Sequence, residues 1–282
     1  MSNTKQHYVP QFYLRQWSDG DEKIWMYGVN GAVPVRISID EVAFERGLYS
    51  HPPVDGIPPL TTEKKLAEGI ENVYARFWPE MVDRAENIRT RKNVARFIAL
   101  MDARNPRRKK LLTNIVAYFQ KLAGQMKPDV KIEILGQNKT VLLRPAEIKE
   151  TFNAENTQSA FVNLMPEQAE LISEILVNRR WGVVFSDTPA FATSDSPVVL
   201  HRGTSTKASF GFATPGTMIF FPVSPTRMVV IDDSWQYDFA HYKLTNPDAF
   251  NKIIAEAAVR FIYADKESHD LSQKIRVWRN AT

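Results

Sequence analysis

A chain of 282 residues, 44% hydrophobic and 24% charged, has the composition of a folded globular protein and enough length to bury a core without disulfide staples or a structural metal. It has no cysteine, which excludes a disulfide framework, thiolate zinc sites, iron–sulfur clusters and a cysteine nucleophile. A formal net charge of +4 is too mild to demand a polyanionic partner, and with neither a signal-peptide h-region nor a run near ~18 apolar residues, the expectation is a cytoplasmic protein with no membrane partner.

In chain order, Lys23–Tyr27 and Pro34–Ile39 read as a β-hairpin around Gly28-Val29-Asn30-Gly31, and the prolines from Pro52 to Pro59 as a loop. From Thr61, apolar Leu66, Ile70, Val73, Phe77 and Met81 recur at helical spacing, with Pro79 as a kink. A second helix carries Val94, Phe97, Ile98 and Met101. Pro106 breaks or kinks it before Leu111, Leu112, Ile115, Phe119 and Leu122 resume the pattern, and these helices are expected to pack together. Lys131–Leu135 and Thr140–Leu143 flank a Gly-Gln-Asn turn as a second hairpin, followed by a helix from about Ala146. Pro166 suits the first turn of another helix that ends near Arg179. Short apolar runs at Trp181–Phe185, Ala190–Thr193, Pro197–Leu200, Thr217–Phe221 and Met228–Ile231 read as an antiparallel sheet, and Pro247–Arg260 as a late helix. The fold class is α+β: one domain over 1–282, with an antiparallel sheet built from N-terminal (1–60) and C-terminal (181–282) segments and a mainly helical region (61–180) packed on it.

Polar chemistry concentrates at few places. His7-Tyr8-Val9-Pro10-Gln11-Phe12-Tyr13-Leu14-Arg15 packs an imidazole, two phenols, an amide and a guanidinium into nine residues, and as an extended segment it puts His7, Val9, Gln11, Tyr13 and Arg15 on one side. Asp195 sits in the Thr193-Ser194-Asp195-Ser196-Pro197 turn between two strands, where sites are commonly mounted, unless it only closes an Asx-turn. Glu63 and Glu71 fall in or beside the apolar stripe of the helix from Thr61, and Arg104 borders the stripe of Phe97 and Met101. Arg107-Arg108-Lys109-Lys110 is the one dense basic run, suited to a phosphate backbone or to plain solvation; nearby Tyr118 and Phe119 fit the helix core better than a stacking platform. No G-x-G-x-x-G, P-loop, H-E-x-x-H, EF-hand or G-x-S-x-G motif occurs, and His51, His201, His241 and His269 show no ligand spacing.

His7 to Arg15, Ile70-Glu71, Arg104, Thr193 to Pro197 and Phe221-Pro222-Val223-Ser224-Pro225 together resemble, in order, the motifs of a bacterial family named for a domain of unknown function, number 4238. The chain departs from that pattern with Asn105 for a threonine before Pro106 and with Val223 for a leucine. The resemblance implies kinship and fold; it carries no activity.

Convergence of these residue types leads us to expect a hydrolase of phosphate esters, a nuclease or nucleotide hydrolase. In it His7 is the acid or base, with Gln11 beside it; Asp195 and Glu71 hold Mg²⁺ or Mn²⁺ or orient water; Arg15 and Arg104 neutralise phosphate; and Arg107, Arg108, Lys109 and Lys110 contact nucleic acid. Phage defence is a setting attached through the kind of family alone. The alternatives are a non-catalytic sensor that binds a nucleotide, nucleic acid or protein, and a buried ionic network of Arg15, Glu71, Arg104 and Asp195 that only fixes the fold.

Overall fold

The computed structural model describes residues 5–50, 87–125, 130–134, 139–143, 145–151, 153–206 and 210–280, together with Ala75 and Trp78. Of the helix expected from Thr61, the structure describes Ala75, which is helical, and Trp78; Glu63, Glu71 and Pro79, like the proline loop before it, lie outside the described residues.

The described chain enters as β1 (Lys5–His7), antiparallel to β4 (Phe44–Arg46), with His7 opposite Phe44. Pro10 stops the extended stretch: its carbonyl accepts the amides of Tyr13 at 3.1 Å and Leu14 at 3.2 Å, which opens the short helix α1 (Gln11–Leu14) and a 3₁₀ turn over Arg15–Trp17. The period-two face expected for His7 through Arg15 is therefore absent, because from Gln11 onward the side chains follow a helical period.

β2 (Lys23–Gly28) and β3 (Val35–Ser38) form the expected hairpin. Two strands from the far end of the chain complete that sheet, β13 (Phe261–Ala264) against β2 and β8 (Thr193–Ser194) against β13, so its order is β3-β2-β13-β8 and every pair is antiparallel. A second sheet has the order β12-β7-β11-β10-β9, from β7 (Trp181–Phe185), β9 (Val199–His201), β10 (Met218–Ser224), β11 (Arg227–Ile231) and β12 (Ala240–Lys243). Its one parallel pair is β12 with β7, a departure from the all-antiparallel expectation. The central β5 (Val130–Ile134) and β6 (Lys139–Leu143) pair with each other, as expected. The protein is of the α+β class.

Of the helices, α2 (Ile88–Ala103) starts where the Asn87 side chain accepts the Arg89 amide at 2.9 Å, and it buries Val94, Phe97, Ile98 and Met101. It packs on α5 (Ala154–Val177), whose Phe161, Val162, Met165 and Leu176 enter the same core. Pro166 was expected in a first turn; it lies inside α5, because Asn153 caps the helix a dozen residues earlier. An interior proline costs roughly 3 kcal/mol, and the buried Phe161, Val162, Met165 and Ala169 around it offset that.

α3 (Pro106–Gln125) begins anew at Pro106, and α4 (Pro145–Thr151) is short. On α3, Leu111, Ile115 and Leu122 are exposed, contrary to the core stripe expected there. α6 (Pro247–Ala257) is the late helix, and α7 (His269–Asn280) closes the described chain. The core centres on aromatic rings from distant segments: Tyr13 lies 5.0 Å from Trp17 and 5.5 Å from Phe221, and Trp78 lies 4.8 Å from Phe97. Their buried polar tips are satisfied, Tyr13 Oη donating to Pro222 O at 2.7 Å, Trp17 Nε1 to Phe191 O at 2.7 Å and Trp78 Nε1 to Val223 O at 3.0 Å. None of the described helices is long and apolar enough to cross a membrane.

Candidate functional site

Asp195 follows β8 and is buried. It makes no Asx-turn with its own neighbours. Its carboxylate accepts backbone amides from the far end of the chain: Val259 on Oδ1 at 2.8 Å, and Arg260 at 2.7 Å and Phe261 at 3.2 Å on Oδ2. Those amides are freed because α6 ends at Ala257 and β13 begins only at Phe261, so Asp195 serves the joint between them. Burial pushes its carboxyl above the usual range, against the pull of the three amides and Arg260. Of four lone-pair positions three are filled, which leaves one on Oδ1.

Two phenols flank this carboxylate. Tyr8 Oη accepts from the Arg260 guanidinium at 3.1 Å, and burial pushes its phenol up to about 12. Tyr263 is fully buried, and burial holds its phenol well above the ordinary value. Its hydroxyl has no hydrogen-bond partner among the described residues, although the Ala43 backbone amide is near enough to pull its value back down in part. Both phenols are thus protonated donors, while Arg260 is the exposed member of the group.

Asn105 ties this corner to the basic helix. Its Nδ2 donates to Asp195 O at 2.9 Å, and its Oδ1 accepts the Arg107 amide at 2.9 Å, closing the first turn of α3. The basic run therefore starts at Asp195. Asp102, buried on α2, holds two of its members: Arg108 Nε donates at 2.6 Å and Arg107 Nη2 at 3.4 Å. Beyond them Lys110, Asn114, Tyr118 and Lys121 fall at spacings of four, four and three along one exposed face. Tyr118, expected in the helix core, is 64% exposed, because α3 turns that face away from α5.

Arg104 is buried at the end of α2; its guanidinium donates to His7 O and, from Nε, to Tyr49 Oη at 3.3 Å, while Tyr49 Oη donates to Arg104 O at 3.0 Å. Here Arg104 fastens β1 to α2. The His7 side chain points the other way: Nε2 lies 3.2 Å from Asp40 O and 3.5 Å from Gln11 Nε2, and the ring leans on Phe44. Gln11 also donates to Asp40 Oδ1 at 3.1 Å, and Lys5 pairs with Asp40 at 2.9 Å, which holds the Asp40 carboxyl below its usual range. Arg15 is exposed and pairs with Glu22 at 2.7 Å, apart from both groups, so it takes no part in a buried network with Arg104 and Asp195. The described residues contain no group of three or more His, Asp or Glu able to hold a metal ion.

The family model described as "Protein of unknown function (DUF4238)" matches residues 5–268. The chain belongs to the DUF4238 family. No curated protein and no solved structure matches this DUF4238 chain. Those of its motifs that lie among the described residues meet in space: the N-terminal segment reaches Thr193 and Pro222 through Tyr13, and Arg104-Asn105 bridges His7 to Asp195. Reasoning from the sequence passed over Tyr8, Asn105, Arg260 and Tyr263. Tyr8 and Asn105 lie in segments already singled out. Arg260 and Tyr263 carry no local signal, because only the pairing of β13 with β2 and β8 brings them to Asp195.

Proposed function

We propose that this DUF4238 protein hydrolyses phosphate esters of nucleic acid or nucleotides in the cytoplasm, at the corner of Tyr8, Asp195, Arg260 and Tyr263. One observation carries this: through Asn105, the helix bearing the basic run starts on the backbone of Asp195, beside two protonated phenols and an exposed guanidinium. In this reading Arg260 leaves Tyr8 to meet a phosphate oxygen, and the two phenols donate to the others as charge builds on them. If the reaction uses Mg²⁺ or Mn²⁺, the remaining lone pair of Asp195 is the described position that would contribute to holding it, and the ion would supply the nucleophilic water. A hydroxyl buried with nothing to bond costs ~1–3 kcal/mol, a cost more readily kept where a ligand completes the bond.

A nucleic-acid-binding role without turnover is favoured by a separate observation, the exposed face of Lys110, Tyr118 and Lys121, which interleaves cations with an aromatic ring. Turnover of bis-p-nitrophenyl phosphate and of labelled oligonucleotides, with and without Mg²⁺ or Mn²⁺, decides between them. Hydrolysis that drops at least about tenfold in both Arg260→Ala and Tyr263→Phe supports the enzyme. Oligonucleotide binding with no turnover under any divalent ion overturns it in favour of the binder.

A further inference from the structure

α3 is apolar on two faces. Leu112, Val116 and Phe119 are half-buried and Ala123 is buried, so this row faces inward. About a quarter turn round the helix, Leu111, Ile115, Tyr118 and Leu122 form a second row at spacings of four, three and four, and they are 50%, 42%, 64% and 38% exposed. Single apolar side chains at a surface need no explanation. Four in one row over about 16 Å make a patch of the kind that meets a partner.

The charges beside this row are of one sign. Lys110 and Lys121 stand about a quarter turn to its other side with Asn114 between them, and all three are exposed. No Asp or Glu occurs from Pro106 to Gln125. A second copy of α3 laid on this row would bring cations against cations, so the partner that fits is an anionic one.

A nucleic-acid duplex fits this surface poorly. It turns phosphates and sugars outward and keeps its base faces stacked inside, at roughly 3.4 Å per step along each strand. Leucine and isoleucine laid on it would strip water from phosphate oxygens and return no bond. A helix that reads the major groove does so mainly through polar side chains, and this row has one phenol and three hydrocarbon chains.

A single strand supplies what the row lacks. Side chains three and four apart on a helix stand about 5–6 Å from one another, so bases laid along them must leave the spacing of a duplex. Unpaired bases bring apolar faces for the aliphatic chains and a stacking face for Tyr118, whose ring Phe119 meets edge-on at 6.0 Å. We propose that the polyanion received by α3 is single-stranded, its bases packed on Leu111, Ile115, Tyr118 and Leu122 and its phosphates along Lys110 and Lys121. This rests on the reading of α3 as a contact for nucleic acid, and it gives the corner at Asp195 unpaired strands as its substrate class.

The test is fluorescence anisotropy of the full chain, in EDTA to prevent turnover, with a labelled single strand of about 12 nucleotides, the same sequence as a duplex, and an abasic strand of that length. The single strand is expected to bind about tenfold or more tightly than either of the others. Ile115→Ser and Leu122→Ser, both at exposed positions, are each expected to weaken it about fivefold or more with the slope against salt unchanged. Leu171→Ser, exposed on α5, is the control and leaves it unchanged. If either row variant fails to fold, Leu111→Ser tests the same row. A duplex or an abasic strand bound as tightly as the single strand overturns the proposal and leaves α3 a contact for nucleic acid. So does a preference for the single strand that the row variants do not alter. Binding of none of the three removes that contact itself, and the proposal with it.

Discussion

Arg260 donates from its guanidinium to the Tyr8 phenol at 3.1 Å, joining the entry to β13 to the segment just after β1. Tyr263, on the same strand as Phe261 and likewise within the electrostatic reach of Asp195, has no such bond among the described residues. Removing either hydroxyl should therefore have opposite effects on stability. Tyr8→Phe discards a bond to a charged group and is expected to cost about 1 kcal/mol. Tyr263→Phe discards an unsatisfied buried hydroxyl and should leave stability unchanged or raise it by up to about 1 kcal/mol, while lowering hydrolysis. Urea midpoints of the two variants measure this; a loss of 1 kcal/mol or more in Tyr263→Phe would mean that the hydroxyl is already bonded.

Asp195 makes the stability depend on pH in an unusual direction for a carboxylate. Burial raises its folded-state value above the 3.8 of an exposed side chain, so between those two values the folded chain binds more protons than the unfolded one. Its contribution is therefore fully present below pH 3.8 and is lost as pH rises through the folded value. Asp195→Asn removes this term and turns an amide N–H toward one of the backbone amides that Asp195 accepts, so the variant is less stable throughout. The advantage of the wild type over Asp195→Asn should narrow as pH rises from about 3.5 to 7, measured by urea denaturation at each pH. An advantage that widens over that range contradicts the role given to burial here.

Much of the fold was legible because it is written locally. The β2–β3 hairpin has its glycine turn, α2 has its apolar stripe, and Pro106 marks a break that the structure places between Ala103 and Pro106. Asp195 and the basic run were also legible, as residue types out of place in their surroundings. What could not be read was pairing at long range. β13 shows nothing in its four residues to say that it lies between β2 and β8, yet that placement brings Arg260 and Tyr263 to the site. Pro166 misled for the opposite reason, since its local preference for a first turn yields to the packing of a long helix. The apolar residues of α3 misled too: their period is helical, but period alone does not say whether a face meets a neighbour.

Asn105 occupies a position where a threonine was expected, and its amide makes two bonds. A threonine hydroxyl could still cap α3 through the Arg107 amide, but it has no second arm for Asp195 O. Asn105→Thr should therefore cost about 1 kcal/mol, the buried acceptor being left unpaired. Asn105→Ala loses the cap as well and is expected to cost about 2 to 3 kcal/mol. Thermal and chemical denaturation of both variants test the order; equal costs would show that the bond to Asp195 O contributes nothing.

The basic run divides between structure and surface, which gives the last prediction two opposite readouts. Asp102 is buried, and Arg107 and Arg108 neutralise it from partly exposed positions. Arg108→Ala leaves that carboxylate with the longer Arg107 contact alone. Complete loss of a buried pair costs ~3–5 kcal/mol; because Arg107 remains and both guanidiniums reach solvent, about 1 to 3 kcal/mol is expected here. Lys110→Glu removes no such partner among the described residues and should change stability by less than about 0.5 kcal/mol. Its effect should fall on the affinity for an oligonucleotide, weakening it and flattening its dependence on salt, with Tyr118→Ala adding a loss that salt does not modify. Fluorescence anisotropy over a salt series reads both at once. If Lys110→Glu leaves that salt slope unchanged, the exposed face of α3 is a solvated surface and the polyanion, if bound, lies elsewhere on the chain.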